Sequence, residues 1–308
     1  MAELDESAGS LVPMEVARDP IFGPRCFVCG RESFRLFART PPGRWVRCRG
    51  CGLVRQEEPP SVSVTQSSYG FSAAHDEETP AETWNEIEPD PHSHFKYWMV
   101  WNVLSAHGLS GRLIDVGCGN GLLQAYLRSR GWTETVGVEP SGNPTGRVRL
   151  GLAVYNEPLE VFIRRPEMIH AFDVAVANHV LEHCYDPPAF LLRVRRLLRP
   201  GGHLFLATPN IHGAAMRWKT LASRSRLKER PFRHLDFPKH LVLFHRGNLR
   251  RLVADAGLLV RTVETYTRFS TDSSAEPVRA VGWDRLGLGD NMFLVAQTPE
   301  GENAEKER

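Results

Sequence analysis

Three groups of residues in this chain have the types and spacing that do chemistry. The first is two cysteine pairs, Cys26-Phe-Val-Cys29-Gly30 and Cys48-Arg-Gly-Cys51-Gly52, with 18 residues between Cys29 and Cys48. Two C-x2-C knuckles at this separation read as a closed tetrahedral zinc site. The glycine after each pair permits the turn that aims backbone N–H groups at sulfur. Four thiolates leave no open position for water, so Cys26, Cys29, Cys48 and Cys51 are expected to hold a structural Zn2+. The second group is Leu113-Ile-Asp-Val-Gly-Cys-Gly-Asn-Gly121, with Glu139 24 residues beyond Asp115. Its spacing is G-x-G-x-G, not the G-x-G-x-x-G of dinucleotide binders. A carboxylate two residues before the first glycine suits a ligand with an ammonium group and fits poorly beside a pyrophosphate. A carboxylate at the end of the next strand can accept both hydroxyls of a ribose. The third group is His179-Val-Leu-Glu182-His183. His-x-x-Glu-His is also the pattern of an inverted zinc-peptidase helix. That reading is set aside because an apolar strand precedes the segment and Asp186-Pro187-Pro188 comes closely after it.

Elements of α/β type must position these groups. From His94 apolar residues recur at helical spacing (Phe95, Trp98, Met99, Val103, Leu104) up to Gly108. Strands are expected at 112–116, 135–139, 152–155, 172–177, 204–207, 258–265 and 292–297. Helices are expected around Leu122–Leu127, Phe190–Leu198 and Leu249–Val253, with Pro200-Gly201-Gly202 stopping the second and Gly257 the third. Ser141 is read as a cap for the segment after the second strand. Such alternation means a largely parallel sheet with helices on both faces. The run at 172–177 is continuously apolar and should be central.

Composition sets the outer limits. The chain has 308 residues, 42% of them apolar and 24% charged, and a formal net charge of +2. That describes an ordinary globular protein whose overall charge favours no polyanionic partner. No run approaches the ~20 apolar residues of a membrane helix. The acidic start, Met1-Ala-Glu-Leu-Asp-Glu-Ser, lacks the apolar stretch of a secretory signal, so a cytoplasmic location is the expectation. The chain divides into a flexible tail (1–22), a zinc ribbon (23–58), a linker or substrate cover (59–92, with Tyr69 and Phe71 as anchors), an α/β domain (93–300) and a short tail (301–308). Within the α/β domain, residues 211–235 form an insertion carrying Arg217, Lys219, Arg224, Arg226, Lys228, Arg230 and Arg233 against one acid, Glu229.

Asp115-Val-Gly-Cys-Gly-Asn-Gly121, Val136-Gly-Val-Glu139, Phe172-Asp-Val-Ala-Val-Ala-Asn-His-Val-Leu-Glu-His183 and Leu198-Arg-Pro-Gly-Gly202 together resemble the ordered motifs of class I S-adenosylmethionine-dependent methyltransferases. The resemblance spans some 200 residues. It implies a Rossmann-like, seven-stranded, mostly parallel sheet whose last strand, near Met292–Gln297, runs antiparallel. It also implies that Gly117, Cys118, Gly119, Asn120 and Gly121 line the methionine and ribose, with Asp115 near the methionine amino group. Glu139, with Pro140, would hold the ribose diol. Asn156 or Glu157 would lie by the adenine, and Asn178 and His179 near the methionine portion. Cys118 and Cys184 would be small packing residues beside the cofactor.

His183, with His179 and Glu182, is the candidate catalytic group. An imidazole there could take a proton from an acceptor hydroxyl. Alternatively the segment only holds its loop together. Some methyltransferases carry Glu-x-x-Glu-His here and bind a divalent ion with help from a later histidine, among them small-RNA 2′-O-methyltransferases and ubiquinone-pathway O-methyltransferases. By similarity, Glu182, His183 and His240 could hold a second divalent metal. His179 replaces the first glutamate of that pattern, and one carboxylate fewer weakens affinity for hard ions such as Mg2+. The ribbon joined to this domain resembles bacterial enzymes acting on sugars and secondary metabolites, so the expected partner is a small-molecule methyl acceptor methylated on O, N or C. Nucleic acid is the alternative partner, through the ribbon and the basic insertion, although Trp218 and Phe232 alone offer stacking there. A non-catalytic binding subunit on the same scaffold is a further alternative, opposed by the intact Asp115, glycine loop and Glu139.

Overall fold

The computed structural model describes residues 22–40, 43–68, 91–140, 151–225, 231–267 and 285–301. The expectations for the N-terminal tail, Tyr69, Phe71, Ser141, Arg226, Lys228, Glu229 and Arg230 lie outside them. The chain builds β1 (Phe34–Thr40), β2 (Gly43–Cys48), β3 (Val54–Gln56), α1 (Val62–Ser68), α2 (Pro91–Ala106), β4 (Leu113–Val116), α3 (Leu122–Ser129), β5 (Thr135–Val138) and β6 (Ala153–Tyr155). It continues with α4 (Leu159–Phe162), β7 (Phe172–Asn178), α5 (Pro187–Leu197), β8 (Leu198–Pro209), α6 (Ala214–Arg224), β9 (Val242–Leu243), α7 (Arg246–Asp255), β10 (Leu259–Tyr266) and β11 (Asn291–Gln297). No helix among the described residues is long and apolar enough to cross a membrane.

Seven strands form the main sheet in the order β10-β11-β8-β7-β4-β5-β6. β4, β5, β6, β7 and β8 run parallel, and β11 lies antiparallel between β8 and β10. Period-two alternation sorts side chains onto two buried faces. On one, Leu113, Val174, Val176, Phe205 and Val295 pack under α2 and α3. On the other, Ile114, Ala175, Leu204 and Leu294 pack against residues of α4, α5 and α7, such as Phe162, Leu191 and Leu249. Strand order reverses beside β4, whose two neighbours are β5 and β7, and open α/β sheets bind ligands at such a crevice, outside the carboxyl ends of the strands.

Local chemistry explains the helix starts. Asp186 caps α5 by accepting from the N–H of Ala189 at 2.7 Å, and Pro187 supplies the preset φ of a first helical turn. His245 caps α7, taking the Gly247 N–H on Nδ1, while the Asn248 side chain accepts from the His245 N–H.

One element differs from its sequence-based expectation. Leu198 was expected in the helix but opens β8, and Pro200-Gly201-Gly202 lies inside that strand. Gly201 has φ +75° there, and the β7–β8 register shifts between Phe172 and Val174. A bulge, rather than a loop, absorbs the helix breakers. The stretch 211–235 contains an ordered helix, α6, and a short helical turn at Arg233–Leu235. Arg217, Lys219, Arg224 and Arg233 are exposed there.

β9 has no sequence signal of its own. It pairs antiparallel with β3, Val54 opposite Leu243 and Arg55 opposite Val242, to complete a second sheet of order β1-β2-β3-β9. The cysteine-bearing segment is therefore joined to the main domain by backbone hydrogen bonds. Its packing is continuous as well, since Cys26, Val28, Cys48 and Leu53 share one apolar cluster with the core of the main sheet.

Candidate active site

Asp115 stands at the carboxyl end of β4 with 2% of its surface exposed, and its Oδ2 has no hydrogen-bond partner. It points to the same face of the sheet as Leu113. Burial, and then the charge of Glu139, push its carboxyl up to about 7. Asn178 ends β7 on that same face, two residues past Val176, which pairs with Asp115. Its Oδ1 is likewise buried without a partner. Two orphaned oxygens from adjacent strands converging on one crevice is what a polar ligand's donor groups require.

The loop between β4 and α3 is shaped to admit that ligand. Gly117, Gly119 and Gly121 have φ of +75°, +54° and +82°. A Cβ on Gly117 would sit 2.5 Å from Val180 Cγ2, and one on Gly121 would sit 2.8 Å from Leu152 Cδ1, while one on Gly119 would meet nothing within 4 Å. Glu139 accepts the Gly119 N–H at 2.9 Å, so the second acid is placed against the glycine loop. Cys118 is buried in the loop, with its sulfur against Gly137, while Asn120 and Pro140 are exposed. Asn156 is exposed after β6. Glu157 is engaged by an ion pair with Arg165, whose guanidinium lies over the Tyr155 ring.

The His/Glu segment forms a short helical turn, Leu181–His183, with His179 just before it in the left-handed region at φ +58°. His179 holds that geometry by Nδ1 contact with Glu182 Oε1 at 3.0 Å and a 2.9 Å hydrogen bond from its own N–H to the Ala207 carbonyl. Glu182 is fully buried, and its Oε2 accepts from the Thr208 hydroxyl at 2.9 Å. Burial alone would raise its carboxyl. The hydrogen bond and charge of His179, with the charges of His183 and His240, outweigh that and bring it down to about 2. His183 Nδ1 lies 2.9 Å from the Lys239 carbonyl. A carbonyl only accepts, so Nδ1 carries the proton and Nε2 is the basic atom of the neutral ring. The rings of His183 and His240 are 5.0 Å apart, and ligand atoms of Glu182, His183 and His240 lie within 4.8 Å of one another. Cys184 is packed beneath this turn, its sulfur 3.4 Å from the Val180 carbonyl.

Three contributors were not identified from the sequence. Thr208 and the Lys239 carbonyl come from elements distant in sequence. The Tyr266 hydroxyl, at the end of β10, is buried without a partner, and burial followed by the charge of Glu182 raises it. Its position at a strand's carboxyl end was the one available pointer.

The four ribbon cysteines are free thiols whose sulfurs cluster, 3.6 Å between Cys26 and Cys51 and 3.5 Å between Cys29 and Cys48. A tetrahedron with ~2.3 Å zinc–sulfur bonds has edges of about 3.8 Å, so the set fits Zn2+ and is far too wide for disulfides. Gly50 N–H points at Cys48 Sγ from 3.3 Å, as a knuckle should. Metal analysis is expected to find one zinc per chain. Cys48→Ser should lose it and lower the melting temperature by several degrees, because Cys48 packs in the shared core. An unchanged melting temperature in the metal-free protein would contradict this.

Comparison with known proteins bears on the family and the fold. The family described as "Methyltransferase domain" matches residues 100–263. The ubiquinone biosynthesis O-methyltransferase of Pseudomonas paraeruginosa is 32% identical over 162 residues, covering 51% of this chain and 68% of that protein. The protein of the same name from Aeromonas salmonicida is 29% identical over 167 residues, covering 52% and 68%. In structure, the 1,6-didemethyltoxoflavin-N1-methyltransferase of Burkholderia thailandensis, solved with S-adenosylhomocysteine, aligns over 86% of this chain and all of its own with a TM-score of 0.50. At 14% identity it speaks for the fold alone. With the glycine loop, its two acids and the strand order in place, the chain belongs to the methyltransferase-domain family and is a class I S-adenosylmethionine-dependent methyltransferase.

Proposed function

We propose that the protein methylates an oxygen of a small-molecule acceptor, with His183 taking the hydroxyl proton. The observation that carries this reading is the hydrogen bond from His183 Nδ1 to the Lys239 carbonyl. It fixes the tautomer, so that Nε2 is the basic atom whenever the ring is neutral, on the loop after Asn178. The relatives named for ubiquinone biosynthesis support a quinone-like or phenolic hydroxyl, and sugars and secondary metabolites offer the same group.

When bound, S-adenosylmethionine supplies a methyl group on a sulfonium already electrophilic enough for direct displacement, so positioning does most of the work. Asp115 and Asn178 would take the amino-acid end, the loop from Gly117 to Gly121 the sulfur and ribose, and Glu139 with Pro140 the diol. Asn156 is the adenine-side residue, since Glu157 is tied to Arg165. Glu182 is a positioning residue: it orients His179 and faces Thr208.

Asp115 makes cofactor binding pH-dependent. An ammonium group favours its ionised form, so below about pH 7 binding must displace a proton. Affinity for S-adenosylhomocysteine is expected to fall toward tenfold per pH unit between pH 7 and 6. Because the folded value lies above the unfolded one of ~3.9, the free protein loses stability as pH rises from about 4 to about 7, and the loss is complete above that. Asp115→Asn should then melt higher than wild type at pH 8 while binding poorly at every pH. A pH-independent affinity in the wild type would overturn this.

A second reading rests on the clustering of Glu182, His183 and His240. Two imidazoles and one carboxylate suit Mn2+, Co2+ or Zn2+ better than Mg2+. One assay separates the readings: S-adenosylhomocysteine formation with phenols, catechols, sugars and tRNA as acceptors, before and after chelation that leaves the ribbon zinc in place. Turnover of hydroxylated small molecules that survives chelation supports the base reading. Loss restored by Mn2+ supports the metal. Turnover with tRNA alone overturns the small-molecule proposal.

A further inference from the structure

The ribbon and the segment after β8 meet at an unusual arginine. Arg47, on β2, has its Nη2 3.0 Å from His212 Nε2. Guanidinium only donates, so His212 Nε2 accepts and that ring is neutral. His212 stacks on His245, with ring centroids 4.4 Å apart and planes 2° apart. His245 is fixed in turn, since its Nδ1 accepts the Gly247 N–H and its Nε2 donates to the Cys51 carbonyl at 2.8 Å. Arg47 is thus held in place, half-buried, by a contact that leaves its charge uncompensated.

Further cations surround it. Arg35 is the cross-strand partner of Arg47, and Arg217 and Arg224 on α6 lie close enough to repel its charge. Among the described residues none of these four pairs with a carboxylate. Arg44, Arg165, Arg193, Arg199 and Arg251 all do, to Glu57, Glu157, Glu160, Asp173 and Asp255. Like charges gathered around a preorganised guanidinium, with no carboxylate partner among the described residues, make a site suited to an anion.

Its position relates it to the active site. His212 is four residues beyond Thr208, so it lies within roughly 13 Å of Thr208, which bonds to Glu182. On the proposed O-methylation, which this inference extends, His183 marks the acceptor's side of the crevice, and the chain leads directly from the Glu182 partner Thr208 to His212. We infer that Arg47, Arg35 and Arg217, with His212 behind them, bind a phosphate or diphosphate group carried by the methyl acceptor.

The test is calorimetric titration of the full-length, zinc-replete protein, saturated with S-adenosylhomocysteine, with inorganic pyrophosphate at low salt. One-to-one binding is expected, weakened at least tenfold by Arg47→Gln and by Arg217→Glu. Arg217 is an exposed helix residue, so its replacement is expected to leave the fold intact, which circular dichroism checks. Arg250→Glu, an exposed position on α7 outside the cluster, should leave the affinity unchanged. No saturable binding, or equal weakening by Arg217→Glu and Arg250→Glu, overturns the site in favour of a diffuse field. So does a single-stranded RNA that binds over 100-fold tighter than pyrophosphate with a salt dependence of many phosphates, which marks a nucleic-acid surface. The S-adenosylhomocysteine titration is recorded separately. Its failure would count against the cofactor site, not against the anion site.

Discussion

Gly117→Arg is expected to abolish measurable S-adenosylhomocysteine binding, a loss of more than about 1000-fold, or roughly 4 kcal/mol. Three costs add in the same direction. The backbone at φ +75° strains any L side chain, at ~1–3 kcal/mol. The new Cβ would sit 2.5 Å from Val180 Cγ2 and 3.3 Å from Cγ1, so either the loop after β7 or the glycine loop must move. The guanidinium, meanwhile, would find the unpartnered Asp115 carboxylate two residues away and occupy the place proposed for the ligand's ammonium group. Gly117→Ala carries the first two costs without the third and should lie between the variants. Calorimetric titration of folded protein, checked by circular dichroism, reads the effect. Binding within a few-fold of wild type would mean that the cofactor lies elsewhere.

The second large effect falls on rate rather than affinity. His183→Ala should lower kcat by about 10²–10⁴-fold, the usual worth of a positioned general base, and leave S-adenosylhomocysteine affinity within a few-fold. A purely structural role for His183 predicts something else. The 2.9 Å contact with the Lys239 carbonyl ties the turn after β7 to the segment before β9, and its loss would loosen both. His183→Asn separates the two roles, because its amide can still donate to Lys239 while offering no comparable base. If the asparagine variant restores turnover, the imidazole is a strut. If it remains as slow as alanine while melting like wild type, the imidazole is the base.

The parts of this site that lie close together in sequence were legible before the fold. Asp115, the three glycines and Glu139 sit on consecutive strand–turn–helix units, so periodicity and spacing place them directly. The cysteine pairs are equally local. What stayed hidden is what distant segments bring. Thr208 and Tyr266 have ordinary strand neighbours, and only the sheet order β10-β11-β8-β7 carries them to Glu182. Lys239 contributes through its carbonyl, which no side-chain pattern can announce. β9 is two residues long, too short for any periodicity, and is defined by its partner Val54–Arg55. Pro200-Gly201-Gly202 ends the helix as expected, but nothing in the sequence announces that the same residues also build a bulge inside β8, because the flanking register decides that.

The β3–β9 pairing also governs the order in which the chain can assemble. Val54 and Leu243 are separated by most of the sequence, and the contact between them cannot form until both have been synthesised. At ~5–20 residues per second, the ribbon waits on the order of 10–40 s after its own strands emerge before its fourth strand exists. During that interval the edge of β3, including the otherwise fully buried Val54, is open to pairing with other chains. The cysteine cluster is complete from the start, since all its ligands lie between Cys26 and Cys51. Early metal capture would hold β1, β2 and β3, three of the four strands, in a defined arrangement during that wait, so zinc supply during translation should govern the yield of correctly assembled protein.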